Sequence, residues 1–439
     1  MIGPSGRTRS VGQSQCSAKG MAPSLTIESG IANLFDSMFL LTRGQCCLRM
    51  NELDFSAREP YPQRGILEMK YKIIDCDQHV IEPPDLWKNY LPERFQESAP
   101  KLVEDEDGGD AWLLGGHAES LGLVAAMNQT PETLKWTGVR YADLHPGITE
   151  PKGRLELMDQ DGISAAVFFP PQRTMIYFMF EEDKAFSLAG MQGYNNFIRD
   201  FASFDRSRMG AIWQMPATGI DDAVAELRRA RENDAAGVGL ATWPSGDYLL
   251  SDADDQFWSV AEEVGLPIHI HVGLTPPQYK TRKVAAKKGG AEQLVLYSTT
   301  MSRMPTLFAE FVFNGVFERF PRLTIVGGEV GAGWVPFLKQ ELDDRYRRNR
   351  YWCEVNLSML PSEYLERNCK VGVVSDQFGV QNCDAVGVDM MMWCSDFPHH
   401  ITDWPHSRYL INSMAQGIDE AKKRKIFCEN AGELYGFMK

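Results

Sequence analysis

The chain predicts an α/β fold, a (β/α)8 barrel with two long loop insertions on its catalytic face. Three observations carry that prediction. From residue 70 onward, short apolar runs alternate with amphipathic stretches. The runs number eight, at 72–76, 164–169, 209–215, 236–242, 267–272, 323–328, 371–375 and 390–395. No GxGxxG follows the first run and no P-loop motif is present, so neither a dinucleotide-binding sheet nor a nucleotide-triphosphate fold is supported. Strand–helix alternation builds a parallel sheet covered by helices. Eight such units favour a closed barrel over an open sheet.

In chain order, residues 1–68 lack any periodic pattern and are expected to be a disordered or spurious extension. Met69 opens Met-Lys-Tyr-Lys-Ile-Ile-Asp, which runs directly into the first strand of a 69–439 domain. Helical patterns are expected at 183–204, 220–232, 254–264, 305–319, 333–350 and 405–416. In 220–232 the residues Ile220, Ala223, Val224 and Leu227 form one stripe, while Asp221, Asp222, Glu226, Arg228 and Arg229 fall mostly elsewhere. The connections at about 80–150 and 273–320 are too long for simple loops. In a barrel both leave the C-terminal face, as a lid or a subunit contact. The second contains Lys280, Arg282, Lys283, Lys287 and Lys288, read as a solvated basic stretch.

A net charge of −14 argues against nucleic-acid and anionic-membrane partners, because phosphate contacts need a basic surface. The most apolar N-terminal stretch, Ile31–Leu41, is too short to span a bilayer. Nine cysteines without a CxxC pair point to free thiols and a reducing, cytoplasmic setting.

Most of the eight histidines fall in short patches at strand ends: Ile73-Ile-Asp-Cys-Asp-Gln-His79, Pro267-Ile-His-Ile-His-Val272 and Met391-Met-Trp-Cys-Ser-Asp-Phe-Pro-His-His400. A fourth patch, Val326-Gly-Gly-Glu-Val-Gly-Ala-Gly-Trp-Val-Pro336, has the same strand-then-turn shape. Asp77 and His79 have period-two spacing and project to one face, and Asp75 shares their parity. His269 and His271 repeat the pattern, with His271 nearer the mouth. Asp396 follows an apolar strand, where a carboxylate has no core role. Imidazoles and carboxylates are ligands for zinc, iron and manganese. A barrel brings the ends of the first, fifth, sixth and eighth runs to one mouth. The expected cofactor is therefore a divalent metal, one or two ions per chain.

Five stretches carry a family resemblance: Ile74-Asp-Cys-Asp-Gln-His-Val-Ile-Glu-Pro83, Arg154-Leu-Glu-Leu-Met-Asp-Gln-Asp-Gly162, Gly265-Leu-Pro-Ile-His-Ile-His-Val-Gly273, Glu329-Val-Gly-Ala-Gly-Trp334 and Ser395-Asp-Phe-Pro-His399. Through them, the chain from about residue 70 to 437 resembles the amidohydrolase-related (amidohydrolase 2) family. The branch it resembles contains aminocarboxymuconate-semialdehyde and γ-resorcylate decarboxylases. The resemblance implies metal ligands Asp77, His79, His271 and Asp396, with Glu329 where family members often carry a histidine. Asp77 likewise stands where a histidine is usual. Both changes replace nitrogen with oxygen and favour iron or manganese over zinc. His269, Glu329 and His399 are candidate extra ligands.

The resemblance implies a hydrolase or non-oxidative decarboxylase acting on a small carboxylated or amide-containing molecule. Asp396 would carry the proton, with Glu329 as a second base and His271 holding the metal. Arg140 and His145 are candidate substrate anchors, His400 a candidate contact and Trp334 a candidate pocket wall. Two alternatives stay open: a dinuclear iron or iron–manganese monooxygenase, and a non-catalytic partner subunit. Homo-oligomerisation, or pairing with a related subunit, is the family expectation.

Overall fold

The computed structural model of the chain describes residues 69–438 apart from 128, 248 and 275–288. The expected 1–68 extension and the basic stretch 280–288 lie outside the described residues. Eight parallel strands follow one another around a nearly closed barrel: β1 (Ile73–His79), β5 (Ile163–Phe169), β6 (Met209–Gln214), β7 (Gly237–Gly239), β8 (Ile268–His271), β9 (Ile325–Gly328), β10 (Cys369–Val373) and β11 (Met391–Trp393). All eight apolar runs are therefore barrel strands. The ring closes at the β1–β11 seam through a parallel bridge between Gln78 and Phe397. There Asp396 N donates to the Asp77 carbonyl at 3.0 Å and His79 N donates to the Phe397 carbonyl at 2.7 Å.

Strand residues alternate between two packed layers. Ile73, Ala166, Phe168, Val238, Ile268 and Ile270 join the helices in the large outer core. Ile74, Cys76, Ala165, Val326, Met392 and Cys394 form a separate inner cluster. Tyr435 and Phe437, near the chain's end, pack on that inner cluster from outside the strands.

Helix Ile220–Glu232 matches its expected range, with Ala223, Leu227 and Ala230 buried. Asp221 and Asp222 sit in its first turn and Arg229 and Arg231 in its last, as the helix dipole favours. Glu226, on the polar side of the sequence pattern, is buried instead. It accepts from Asn195 Nδ2 at 2.7 Å and pairs with Arg229. The 305–319 pattern is two helices, Met304–Phe313 and Val316–Arg319, separated at Gly315 with φ +68°. Helix Pro151–Asp161 was not expected from periodicity, because Arg154 and Asp161 are buried polar residues on its inner side.

The 80–150 connection is not structureless. It holds a three-stranded antiparallel sheet of β2 (Lys101–Glu104), β3 (Asp110–Leu114) and β4 (His117–Ser120). Among the described residues no helix is long and apolar enough to cross a membrane. The six cysteines described are all free thiols.

Candidate metal centre

The four residues Asp77, His79, His271 and Asp396 converge at the C-terminal ends of β1, β8 and β11. One ligand atom from each lies within 4.8 Å of the others. Two ligands on opposite sides of one ion, at bonds of about 2.1 Å, span roughly 4 Å, so the set is close to ligating size. His271 Nε2 lies 2.9 Å from Asp77 Oδ2, and His79 Nε2 lies 3.0 Å from Asp396 Oδ1 and 3.4 Å from Asp77 Oδ1. Beyond these approaches to one another, both oxygens of Asp77, both nitrogens of His79 and Asp396 Oδ1 are buried and make no hydrogen bond among the described residues. Buried polar atoms are nearly always satisfied. The two Asp77 oxygens, Asp396 Oδ1 and the lone-pair nitrogen of the neutral His79 ring make a donor set that fits a cation.

Local backbone places these groups. β1 is irregular between Asp75 and Gln78: Asp75 pairs with Ala166 and Gln78 with Phe168, so β1 carries one residue too many. Such a bulge re-aims side chains. Asp77 and His79 enter the cluster, while Asp75 does not, against the simple period-two reading. Asp75 instead accepts from Ser395 N at 3.0 Å, from the Ser395 hydroxyl, and from Gln78 Nε2 at 2.8 Å. Burial raises its carboxyl to about 7, opposed by those hydrogen bonds. It is a strut across the seam.

Three residues at the mouth hold left-handed backbone: Val272 and Glu329, directly after β8 and β9, and Asp396 after β11, with φ of +48°, +54° and +53°. For residues with a Cβ this costs about 1–2 kcal/mol each. The strain is held by the ladder: Val272 N donates to Gly328 O at 3.0 Å and Asp396 N to Asp77 O at 3.0 Å.

Electrostatics separate the titratable groups. Burial, with the neighbouring His399, lowers His79 to about 4, so its imidazole is neutral. Burial opposes charge on His271 too, but the Asp77 carboxylate outweighs it and raises His271 to about 9. Burial also resists ionisation of Asp396, yet His399 and His79 hold it well below the usual carboxylate range. Burial and the Asp396 charge push Glu329 well above that range, opposed by His271.

Of the other expected site residues, Glu329 stands at the edge of the cluster, its Oε2 3.9 Å from His271 Nε2. His269 lies outside the four-residue cluster. Its Nδ1 lies 3.1 Å from the Val238 carbonyl and its Nε2 lies 2.9 Å from the Tyr435 hydroxyl, so both nitrogens are committed. Arg140 belongs to the small-sheet insertion, where its Nε donates to Gly108 O at 2.6 Å. His145 caps the turn at 146–148, accepting from Gly147 N at 3.0 Å. Neither anchor lines the cleft beside the cluster. Trp334 donates to Val330 O at 2.8 Å and packs on Phe308, the packing alternative rather than a wall of that cleft. His400 stacks obliquely near Tyr297, ring centroids 4.8 Å apart.

Sequence reasoning undervalued two residues. His399 stacks on His79 with ring centroids 3.9 Å apart, and its Nδ1 lies 3.1 Å from Asp396 Oδ1. The Asp-x-x-His spacing was its signal. Arg154 is fully buried; its guanidinium donates to His79 O at 2.8 Å, Gln78 Oε1 at 3.2 Å and Gly147 O at 2.8 Å. No periodicity marks it, because its role is to hold β1 from behind.

Beside the cluster an open cleft is walled by Phe169, Met175, Ile176, Leu240 and Ala241, with Gln214, His269 and His271 as its polar contacts.

This fold and site define a metal-dependent enzyme class, and the comparisons specify it. A family model described as Amidohydrolase matches residues 74–437. The chain belongs to the amidohydrolase family, whose members are metal-dependent hydrolases and carboxy-lyases. Among solved structures it is similar to an amidohydrolase from Mycobacterium avium subsp. paratuberculosis K-10, at 22% identity and a TM-score of 0.67 over 84% of this chain and 100% of that one. It is similar to a 5-carboxyvanillate decarboxylase from Novosphingobium aromaticivorans complexed with manganese, at 16% identity and 0.58, over 84% and 96%. A 2,6-dihydroxybenzoate decarboxylase from Rhizobium gives 17% and 0.54, over 84% and 100%. At these identities the likeness speaks for the fold.

Proposed function

We propose that this protein is a metal-dependent, non-oxidative decarboxylase of a small carboxylated molecule. One observation carries the reading: a further carboxyl, Glu329, stands beside the four-residue cluster and outside it, its Oε2 3.9 Å from His271 Nε2, where burial and the Asp396 charge favour its protonated form while His399 and His79 favour the ionised form of Asp396. Pairs of carboxyls separated in this way mark acid and base roles. Asp77, His79, His271 and Asp396 would hold a divalent ion, and the carboxylate-rich set, with the manganese of the 5-carboxyvanillate decarboxylase, supports manganese or iron. Such an ion supplies a Lewis acid that polarises substrate oxygens.

The chain's own residues do the rest. The apolar wall of Phe169, Met175 and Leu240 orients the substrate body and excludes water. As the bond from carbon to the carboxylate breaks, the electron pair stays on carbon and carbon dioxide leaves. Glu329, at the mouth, gives its proton to that carbon and is reprotonated from solvent. Asp396, with the His399 ring at 3.1 Å, keeps the opposite side of the site anionic and orders His79.

The test is direct. Manganese-loaded protein is incubated anaerobically in D₂O with a panel of hydroxyarene carboxylates and aryl amides. Carbon dioxide release with one deuterium at the vacated carbon supports the reading, and Glu329→Gln and Asp396→Asn should each remove it. Amide cleavage without carbon dioxide would replace decarboxylation with hydrolysis. A second reading, oxygen activation by two iron ions or iron with manganese, is favoured by His399, whose Nδ1 lies 3.1 and 3.2 Å from the two oxygens of Asp396 and which would add a fifth donor residue beside the four. Two ions per chain and turnover that requires oxygen would select it.

A further inference from the structure

We infer that Asp376 is a positioning residue for this centre: by clamping the loop after β9 it holds Glu329 at the mouth of the barrel. The inference rests on the role given to Glu329 above. Four consecutive amides follow Glu329, and all four donate toward β10. Val330 N and Gly331 N share the Gly372 carbonyl at 3.2 and 3.0 Å. Ala332 N and Gly333 N share one carboxylate oxygen of Asp376, at 2.6 and 2.9 Å. The other oxygen of Asp376 accepts from Gly379 N at 2.7 Å, capping the helix Gln377–Gln381 that follows β10.

Consecutive amides that converge in this way form a nest for an anion. Here the chain's own carboxylate fills it. The loop needs the clamp because it is conformationally costly: Glu329 has φ +54° and Gly331 φ +64°. A Cβ on Gly331 would sit 3.3 Å from Asp376 Oδ2, so the approach depends on glycine. Among the described residues the Glu329 carboxyl faces His271, its Oε2 3.9 Å from His271 Nε2. The hydrogen bonds of the Asp376 carboxylate go to backbone amides of this loop and of its own helix, so it acts on the centre through the loop.

The test reads backbone amide exchange at 330–333 on full-length, metal-free protein, beside Mn²⁺ affinity by calorimetry and deuterium delivery in the Mn²⁺-loaded protein. Asp376→Ala should speed exchange at those amides by about tenfold or more, with Asp376→Asn, which keeps one acceptor oxygen, in between. Deuterium delivery to the vacated carbon should fall in the same order, while Mn²⁺ affinity stays near wild type in both variants and in Glu329→Gln, because the four ligands lie elsewhere. If Asp376→Ala misfolds, Asp376→Asn carries the comparison. Unchanged exchange in both Asp376 variants, or faster exchange with undiminished deuterium delivery, overturns the clamp. Loss of deuterium delivery in Asp376→Ala with intact delivery in Glu329→Gln overturns the proton-donor role of Glu329 and the inference with it.

Discussion

Arg154 shows how a buried charge supports a site it does not touch. Burial lowers its guanidinium to about 9, so it stays protonated at neutral pH, and the Phe397 ring lies 4.9 Å from it. Arg154→Met keeps much of the volume but leaves His79 O, Gln78 Oε1 and Gly147 O without that donor. Breaking such a buried set costs about 3–5 kcal/mol. Urea unfolding should report a loss of that order, and a loss below about 1 kcal/mol would demote Arg154 to a peripheral contact. Asp161 makes a pH-dependent contribution. Burial raises its carboxyl to about 6 from 3.8, against hydrogen bonds from Ser407 N and the Ser407 hydroxyl. Between those pH values the folded chain binds this proton more tightly than the unfolded chain. Its contribution is therefore full below 3.8 and is lost as pH rises through about 6. A shift of this size corresponds to about 3 kcal/mol. Asp161→Asn has no such titration, so the stability gap between variant and wild type should change by that order between pH 4 and pH 7. A pH-independent gap would contradict the assignment.

At the element scale, strand identity was legible and strand detail was not. All eight runs became barrel strands because apolar runs between turns have few other places to go in an α/β chain. The bulge in β1 was hidden, since period two assumes a regular ladder; it sent Asp75 to the seam and Asp77 to the cluster. His269 and His271 have the same parity, yet depth separates them: one meets Tyr435 and the other meets Asp77. Arg140 and His145 were anchors only while their loop had no shape, and the small sheet and its turns use them locally. Glycines in β9 make room for the centre. A Cβ on Gly328 would lie 3.1 Å from His271 Cδ2 and 3.4 Å from Asp77 Oδ2. Gly328→Ala should therefore fold but bind Mn²⁺ at least roughly tenfold more weakly, as displaced ligand supports do. Wild-type affinity in that variant would show that the two ligands have slack.

For the whole molecule, ligation and folding are linked, because the four ligands come from strands far apart in sequence. Mn²⁺ at 100 times its dissociation constant should stabilise the fold by about 2.7 kcal/mol. A chelator should reverse the gain, and a melting temperature indifferent to both would remove the cluster as a metal site. Ligation also competes with a proton. His271 is held up to about 9, so near neutral pH the metal-free chain is protonated there. Mn²⁺ binding should release a proton and tighten as pH rises toward 9, visible as a buffer-dependent heat of binding.

The sequence by itself determined the barrel and the order of its strands, because apolar periodicity is a local signal, and it named Asp77, His79, His271 and Asp396 as candidates through strand-end polar residues and the family resemblance. Tertiary structure alone decided which polar groups meet. The β1 bulge set Asp75 apart from Asp77, Val238 and Tyr435 took up both nitrogens of His269, Arg154 came to hold β1 from behind, and Asp376 came to hold the loop after β9. The reason is physical. Facing is set by bulges, strand depth and loop hydrogen bonds between segments up to 320 residues apart, and no local pattern encodes them.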